Sequence, residues 1–279
     1  MSDSPRPESP PTDCEQARYC SLYVRQWIEK QPEVKEESLT DWLLFELSRR
    51  IPRIRYKSFT RHEESRVTGA DWHWWFVFDH FSFQIRVQAK RLKTSGNCRP
   101  AILYPRGTCG QISKLLADAK TNNYLPLYAF YSAGAPSVMC GRKLTDEGVY
   151  LAGAMRVFAE SVRSTGTPLR SAPLLAISNP LSCFICCPYT SGPEGLLAFI
   201  TAYYGSEFPP PPDGDPRDGE NGPPRIPGYH AQAPGYVYRL LEREESPEYW
   251  EGKKEALHNV RALVVYDGRG LARQGPAFK

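Results

Sequence analysis

An α/β fold with a central mixed sheet flanked by helices is predicted by three features of the chain. Leu39, Leu43, Leu47 and Ile51 recur on one helical stripe. Two strand-like runs, Trp72–Phe78 and Phe83–Lys90, are joined by the turn-sized segment Asp79-His80-Phe81-Ser82. A helix over Gln111–Asn122, on Ile112, Leu115, Leu116 and Ala119, then leads into the apolar run Leu127–Tyr131. That last succession is a strand-helix-strand crossover, which favours a parallel strand pair. With a strand over Arg53–Phe59, the order is helix, three strands, helix, strand.

Residues 1–12 are rich in Ser, Pro and acids and read as a disordered tail. Between Cys14 and Glu29, Tyr23, Val24, Trp27 and Ile28 fall at helical spacing, and Pro32 with the charged Glu33–Glu37 ends that helix. Ser38 reads as the N-cap of the next, with Asp41 as its capping-box partner and Pro52 as its stop. Glu46 lies inside this helix's apolar arc, so it is either buried with a partner or directed at a site. Residues 13–135 form the core in this reading. Residues 136–279 form a C-terminal α/β extension: a helix at Val149–Val162, a strand at Leu174–Ser178, a helix at Leu196–Tyr204 and a strand at Arg261–Tyr266. Its residues 208–235, with Pro209–Pro212 consecutive, read as a long Pro/Gly-rich loop.

A hydrophobic share of 41% with 24% charged residues suits a soluble globular protein. No apolar run approaches the ~18 residues that span a bilayer, and residues 1–12 lack the apolar core of a signal peptide. The expectation is a cytoplasmic protein without a membrane partner. The eight cysteines fit thiols rather than a disulfide framework. Cys183-Phe184-Ile185-Cys186-Cys187 holds a C-x-x-C, but no second pair completes a zinc site, and the run reads as an apolar strand. His62, His73, His80, His230 and His258 show no ligand spacing; no G-x-S-x-G or phosphate-binding glycine loop is present. Trp72, Trp74 and Trp75 read as core.

The chemistry concentrates in the hairpin. In Phe83–Lys90, Phe83, Ile85, Val87 and Ala89 point one way and Gln84, Arg86, Gln88 and Lys90 the other. Gln88 and Lys90 therefore share a face about 7 Å apart, from a rise of roughly 3.3 Å per residue. Asp71, at the start of the preceding strand, brings a carboxylate beside them. Such a trio suits phosphodiester hydrolysis: Asp71 as a hard ligand for Mg²⁺ or Mn²⁺, Gln88 as a neutral oxygen ligand, Lys90 to orient water or stabilise phosphate charge. A neutral amide ligand leaves a metal site short of negative charge unless another carboxylate compensates. Glu64, before Asp71, and Glu46 are the candidates. The net charge of +4 is small. Arg49, Arg50, Arg53, Arg55, Lys57 and Arg61 precede the site and Lys90, Arg91 and Lys93 follow it, so Arg61, Arg91 and Lys93 are candidate phosphate contacts.

This hairpin, with Asp71 opening one strand and Gln88-Ala89-Lys90 closing the next, resembles the active site of PD-(D/E)xK nucleases in a Gln-x-Lys version. The αβββαβ order over residues 38–132 is similar to their restriction-endonuclease-like core. The string Glu64…Gly69-Ala70-Asp71-Trp72…Gln88-Ala89-Lys90-Arg91 also resembles an uncharacterised microbial family assigned to that fold. The resemblance implies a Mg-dependent endonuclease acting on DNA, less readily RNA. Asp71, Gln88, Lys90 and Glu64 would be catalytic, and Asp71, Gln88 and Glu64 or Glu46 would hold the metal. It further implies antiviral defence, with a defence-system partner and a homodimer for paired cuts. Two rivals remain: a non-catalytic nucleic-acid-binding module of the same fold, and a protein-interaction subunit using the C-terminal half.

Overall fold

The computed structural model describes residues 11–59, 70–93, 96–103, 110–134, 138–139, 146–186, 192–207, 226, 228–243, 246, 248–250, 257 and 260–271. Helix α1 (Asp13–Lys30) opens on a capping box between Thr12 and Glu15. Helix α2 (Glu36–Arg50) starts two residues before Ser38: its N-cap is Lys35, and Glu36 and Glu37 fill the first turn, where helix-dipole charge favours acids. The charged run Glu33–Glu37, expected only to end the first helix, thus also supplies the first turn of the second.

The strands are β1 (Ile54–Ser58), β2 (Trp72–Val77) and β3 (Ser82–Arg91). A short helix α3 (Arg99–Ile102) and α4 (Gln111–Asn122) carry the chain to β4 (Leu125–Tyr131), which pairs parallel with β3, as the crossover pattern predicts. Beyond it come β5 (Val149–Gly153), α5 (Ala154–Arg163), α6 (Ser171–Ala176), β6 (Ser178–Pro180), α7 (Cys183–Cys186), α8 (Gly192–Tyr204), β7 (Tyr229–His230), α9 (Gly235–Glu242) and β8 (Ala262–Asp267).

The main sheet path runs β1-β8-β2-β3-β4-β5-β6, with β7 pairing to the start of β3. It is a mixed sheet flanked by helices, so the expected α/β class holds. The sheet does not break between residues 135 and 136: β4 pairs antiparallel with β5, and β8 inserts between β1 and β2, parallel to β2. The second half extends the first sheet.

Several local expectations need correction. Residues 149–162 hold a strand before the helix, because Val149–Gly153 is buried throughout and hides any period. Leu174 lies on α6 rather than a strand, its Pro173 tolerated in the first turn. Cys183–Cys186 is one helical turn; apolar runs this short do not distinguish helix from strand. Cys20, Cys98 and Cys183 are buried thiols, whereas Cys14 is disulfide-bonded, against the expectation of thiols alone. Among the described residues no helix is long and apolar enough to cross a membrane.

One sheet face packs on α1, α2, α7 and α8 through Trp72, Trp74, Phe76, Phe83, Ile85, Val87 and Ala89. On the other face the apolar residues divide into two clusters. One joins β4 and β5 to α3–α6, the other joins β2 and β8 to α9. Between them runs the opposite face of β3, carrying Gln84, Arg86, Gln88 and Lys90, so the hairpin's alternation places a polar stripe between two apolar clusters.

Candidate active site

The site forms where β2 begins, β3 ends, β8 begins and α2 begins. The antiparallel register Trp72↔Val87 sets Asp71 across from Gln88, and the Asp71 N–H donates to the Val87 carbonyl at 2.8 Å. Gln88 Nε2 donates to Asp71 Oδ2 at 2.5 Å and to the Ala89 carbonyl at 3.1 Å; the Ala89 N–H donates to the same Oδ2 at 2.7 Å. Gln88 Oε1 is buried and has no partner among the described residues. On the far side of Asp71, the Arg261 N–H donates to the Asp71 carbonyl at 2.6 Å, and the Arg261 guanidinium pairs with Asp41 at 2.6 Å.

Lys90 is 9% exposed, and its Nζ lies 3.3 Å from Oε1 of Glu36, whose Oε2 accepts the Arg91 N–H at 2.8 Å. Glu36 is therefore the second carboxylate of the site, and the sequence reading missed it. Its only local signal was its place in an acidic first helical turn.

Burial pushes the Asp71 carboxyl up to about 6; the Lys90 ammonium opposes this, Glu36 reinforces it, and the Ala89 N–H and Arg261 oppose it further. A partly exposed carboxyl held this far above its usual range, facing a lysine and a glutamate, has the character of a functional group.

The other predicted residues divide. Asp71, Gln88 and Lys90 are brought together. Glu46 is not with them: it is 9% exposed, and its carboxylate is clamped by Arg49 at 2.7 Å and Arg50 at 2.9 Å near the far end of α2. It reads as an apolar-arc acid because its partners lie on its own helix, three and four residues on. Glu64 and Arg61 lie outside the described residues. Arg49 and Arg50 are engaged by Glu46, and Arg53 donates to the carbonyls of Asp267 and Arg269 at the opposite end of β8. Arg49, Arg50 and Arg53 therefore do not flank the site. The Arg91 guanidinium binds the Pro32 carbonyl, and Lys93 is exposed.

Further along the stripe, Arg86 pairs with Asp118 at 2.5 Å, and Gln84 links His73 at 2.8 Å to His230 at 2.6 Å. His73 is thus a packed strand histidine, held by Gln84 rather than by Asp71, Gln88 or Lys90. Trp72, Trp74 and Trp75 are core, each no more than 2% exposed. A cavity of about 250 Å³ lies at the hairpin's turn, lined by Phe78, Asp79, Phe81 and Tyr229, at the other end of β2 and β3 from Asp71.

The donor set fits one divalent cation. Asp71 supplies a hard anionic oxygen, the Ala89 carbonyl faces the same Gln88 Nε2, and the Gln88 amide carries an oxygen that no described residue claims. Among the described residues no three His, Cys, Asp or Glu side chains group closely enough to hold a metal by themselves. An ion here would rely on the amide and on water for the rest of its shell. A family described as a family of unknown function (DUF6615) matches residues 13–269, which take in every residue of the site. No curated protein matches the chain.

Proposed function

We propose that this chain, which belongs to the DUF6615 family, is a metal-dependent nuclease hydrolysing phosphodiester bonds in DNA. The observation that carries the reading is the convergence of Asp71, Gln88 and Lys90 at one end of a hairpin, with Gln88 Oε1 left unpaired. Asp71 and Gln88 would hold Mg²⁺ or Mn²⁺, which supplies a polarised phosphate oxygen and an activated water when bound.

The chain's own residues supply the rest. Lys90 brings a cation to the side of the site facing Glu36, where a scissile phosphate gathers negative charge in the transition state. Glu36 keeps the ammonium oriented while no substrate is present, and its other oxygen ties α2 to the backbone of β3. Asp71 is held on one side by two donors from β3 and on the other through its carbonyl by β8, so its position is set by sheet hydrogen bonds rather than by a loop. Exposed Lys93 lies just beyond β3 and suits contact with flanking phosphates.

The test is incubation with plasmid, linear duplex and single-stranded DNA in Mg²⁺ or in EDTA. Wild type is expected to cleave only with Mg²⁺, and Asp71→Ala not at all. Cleavage unaffected by EDTA, or retained by Asp71→Ala, refutes the reading.

A further inference from the structure

Two buried polar atoms on neighbouring strands are left without partners. Gln88 on β3 and Tyr128 on β4 stand side by side in the parallel ladder, 1% and 0% exposed. Neither Gln88 Oε1 nor the Tyr128 hydroxyl is hydrogen-bonded among the described residues. An unsatisfied buried polar group costs about 1–3 kcal/mol, so two on one pair of cross-strand neighbours need a reason. Tyr128 also feels the site: burial raises its ionisation most, and the Asp71 and Glu36 carboxylates raise it further.

We infer that Tyr128 is a positioning residue for the Gln88 amide, its hydroxyl serving either orientation of that amide; the inference rests on the reading of Asp71 and Gln88 as a cation site. In the structure the amide turns its NH₂ toward Asp71 Oδ2 and the Ala89 carbonyl, occupying the point between the two oxygens with donors. A divalent cation accepts oxygen ligands and repels an NH₂. To serve it, the amide turns over, so that Oε1 takes the place of Nε2 and the NH₂ takes the buried place of Oε1. A neighbour that serves both orientations must offer a donor to Oε1 in one and an acceptor to the NH₂ in the other. A hydroxyl does both, directly or through one water, and a phenyl ring does neither. A glutamate in place of Gln88 would present oxygen on both sides and need no such partner.

The experiment is Mn²⁺ titration by calorimetry on wild type, Tyr128→Phe, Gln88→Glu and the double variant, with thermal midpoints recorded for each. Tyr128→Phe is expected to weaken Mn²⁺ binding about 10–100-fold, the range for losing an outer partner of a metal ligand, and to have at most about a twofold effect in the Gln88→Glu background. In wild type, the Gln88 side-chain NH₂ resonances, identified by their loss in Gln88→Glu, should shift on adding Mg²⁺. This second readout needs no Tyr128 variant to fold. Unchanged affinity in Tyr128→Phe, an equal loss in both backgrounds, or unshifted NH₂ resonances in Mg²⁺-bound wild type overturns the role of Tyr128 and leaves the cation site standing. Absence of Mn²⁺ binding by wild type overturns both.

Discussion

Replacing Asp71 by Asn should stabilise the ion-free protein while abolishing cleavage. An aspartate in the unfolded chain titrates near 3.8, and burial raises this one to about 6 in the folded protein. Between those values the folded state holds the proton more tightly than the unfolded state. Stability contributed by the protonated carboxyl is therefore complete below pH 4, declines as pH rises through 6, and is gone above it. A shift of about two units corresponds to up to about 3 kcal/mol, an upper value because water screens a partly exposed carboxylate. Asn keeps an acceptor for Gln88 Nε2 and the Ala89 N–H without carrying the charge. In urea titrations with EDTA, Asp71→Asn should be more stable than wild type by about 1–3 kcal/mol at pH 8 and indistinguishable from it at pH 4. Mg²⁺ at a thousand times its Kd should reverse the order at pH 8, since it stabilises only the protein that binds it, by about 4 kcal/mol. A variant less stable than wild type at pH 8 in EDTA, or shifted equally at both pH values, would refute the reasoning.

Gln88→Glu adds a second anionic oxygen beside Asp71, and Mg²⁺ affinity measured by calorimetry should rise at least tenfold; no gain would mean the amide does not face the ion. Lys90→Ala should lose about a hundredfold or more in cleavage rate while retaining duplex binding in a Ca²⁺-containing mobility-shift assay, because its charge acts on the transition state. Cleavage by wild type should fall on the acid side with a midpoint governed by the raised Asp71 carboxyl, near 6 rather than 4, and Mg²⁺ affinity should fall over the same range. Away from the site, Glu147 is 1% exposed and raised to about 7 mainly by burial, against hydrogen bonds from Ser182 and Ser21. Its protonated form stabilises the fold below about pH 4.5, and that contribution is lost as pH rises through 7. Glu147→Gln should therefore raise the urea midpoint at pH 8.5 and leave it unchanged at pH 4, by a margin on the order of 2–3 kcal/mol.

The hairpin was legible because its chemistry is written in a period of two. Alternation from Phe83 to Lys90 assigns Gln88 and Lys90 to one face, and a turn of the length between Phe78 and Phe83 returns the chain so that Asp71 faces Gln88. Glu36 was not legible. It meets Lys90 across 54 residues, and helix spacing shows which face a residue occupies but not what the helix end abuts. The same limit hid Arg261. Nothing local in Arg261–Tyr266 says that this last strand inserts between β1 and β2, a choice made by long-range pairing, yet that insertion sets an arginine beside Asp71. Glu46 shows the converse error: its wheel position correctly marks a buried carboxylate, but periodicity does not separate a carboxylate neutralised by its own helix from one aimed at a site. Tyr128 was read as one more apolar strand residue, since only the ladder register makes it the cross-strand neighbour of Gln88.

The most direct test is a crystal soaked in Mn²⁺ and measured at a wavelength where manganese scatters anomalously. An anomalous peak bonded to an Asp71 carboxylate oxygen, with the Gln88 amide turned to present Oε1, is the expected result. A map without such a peak, in which Gln88 still donates its NH₂ to Asp71, would contradict the assignment of this hairpin as a metal-dependent active site.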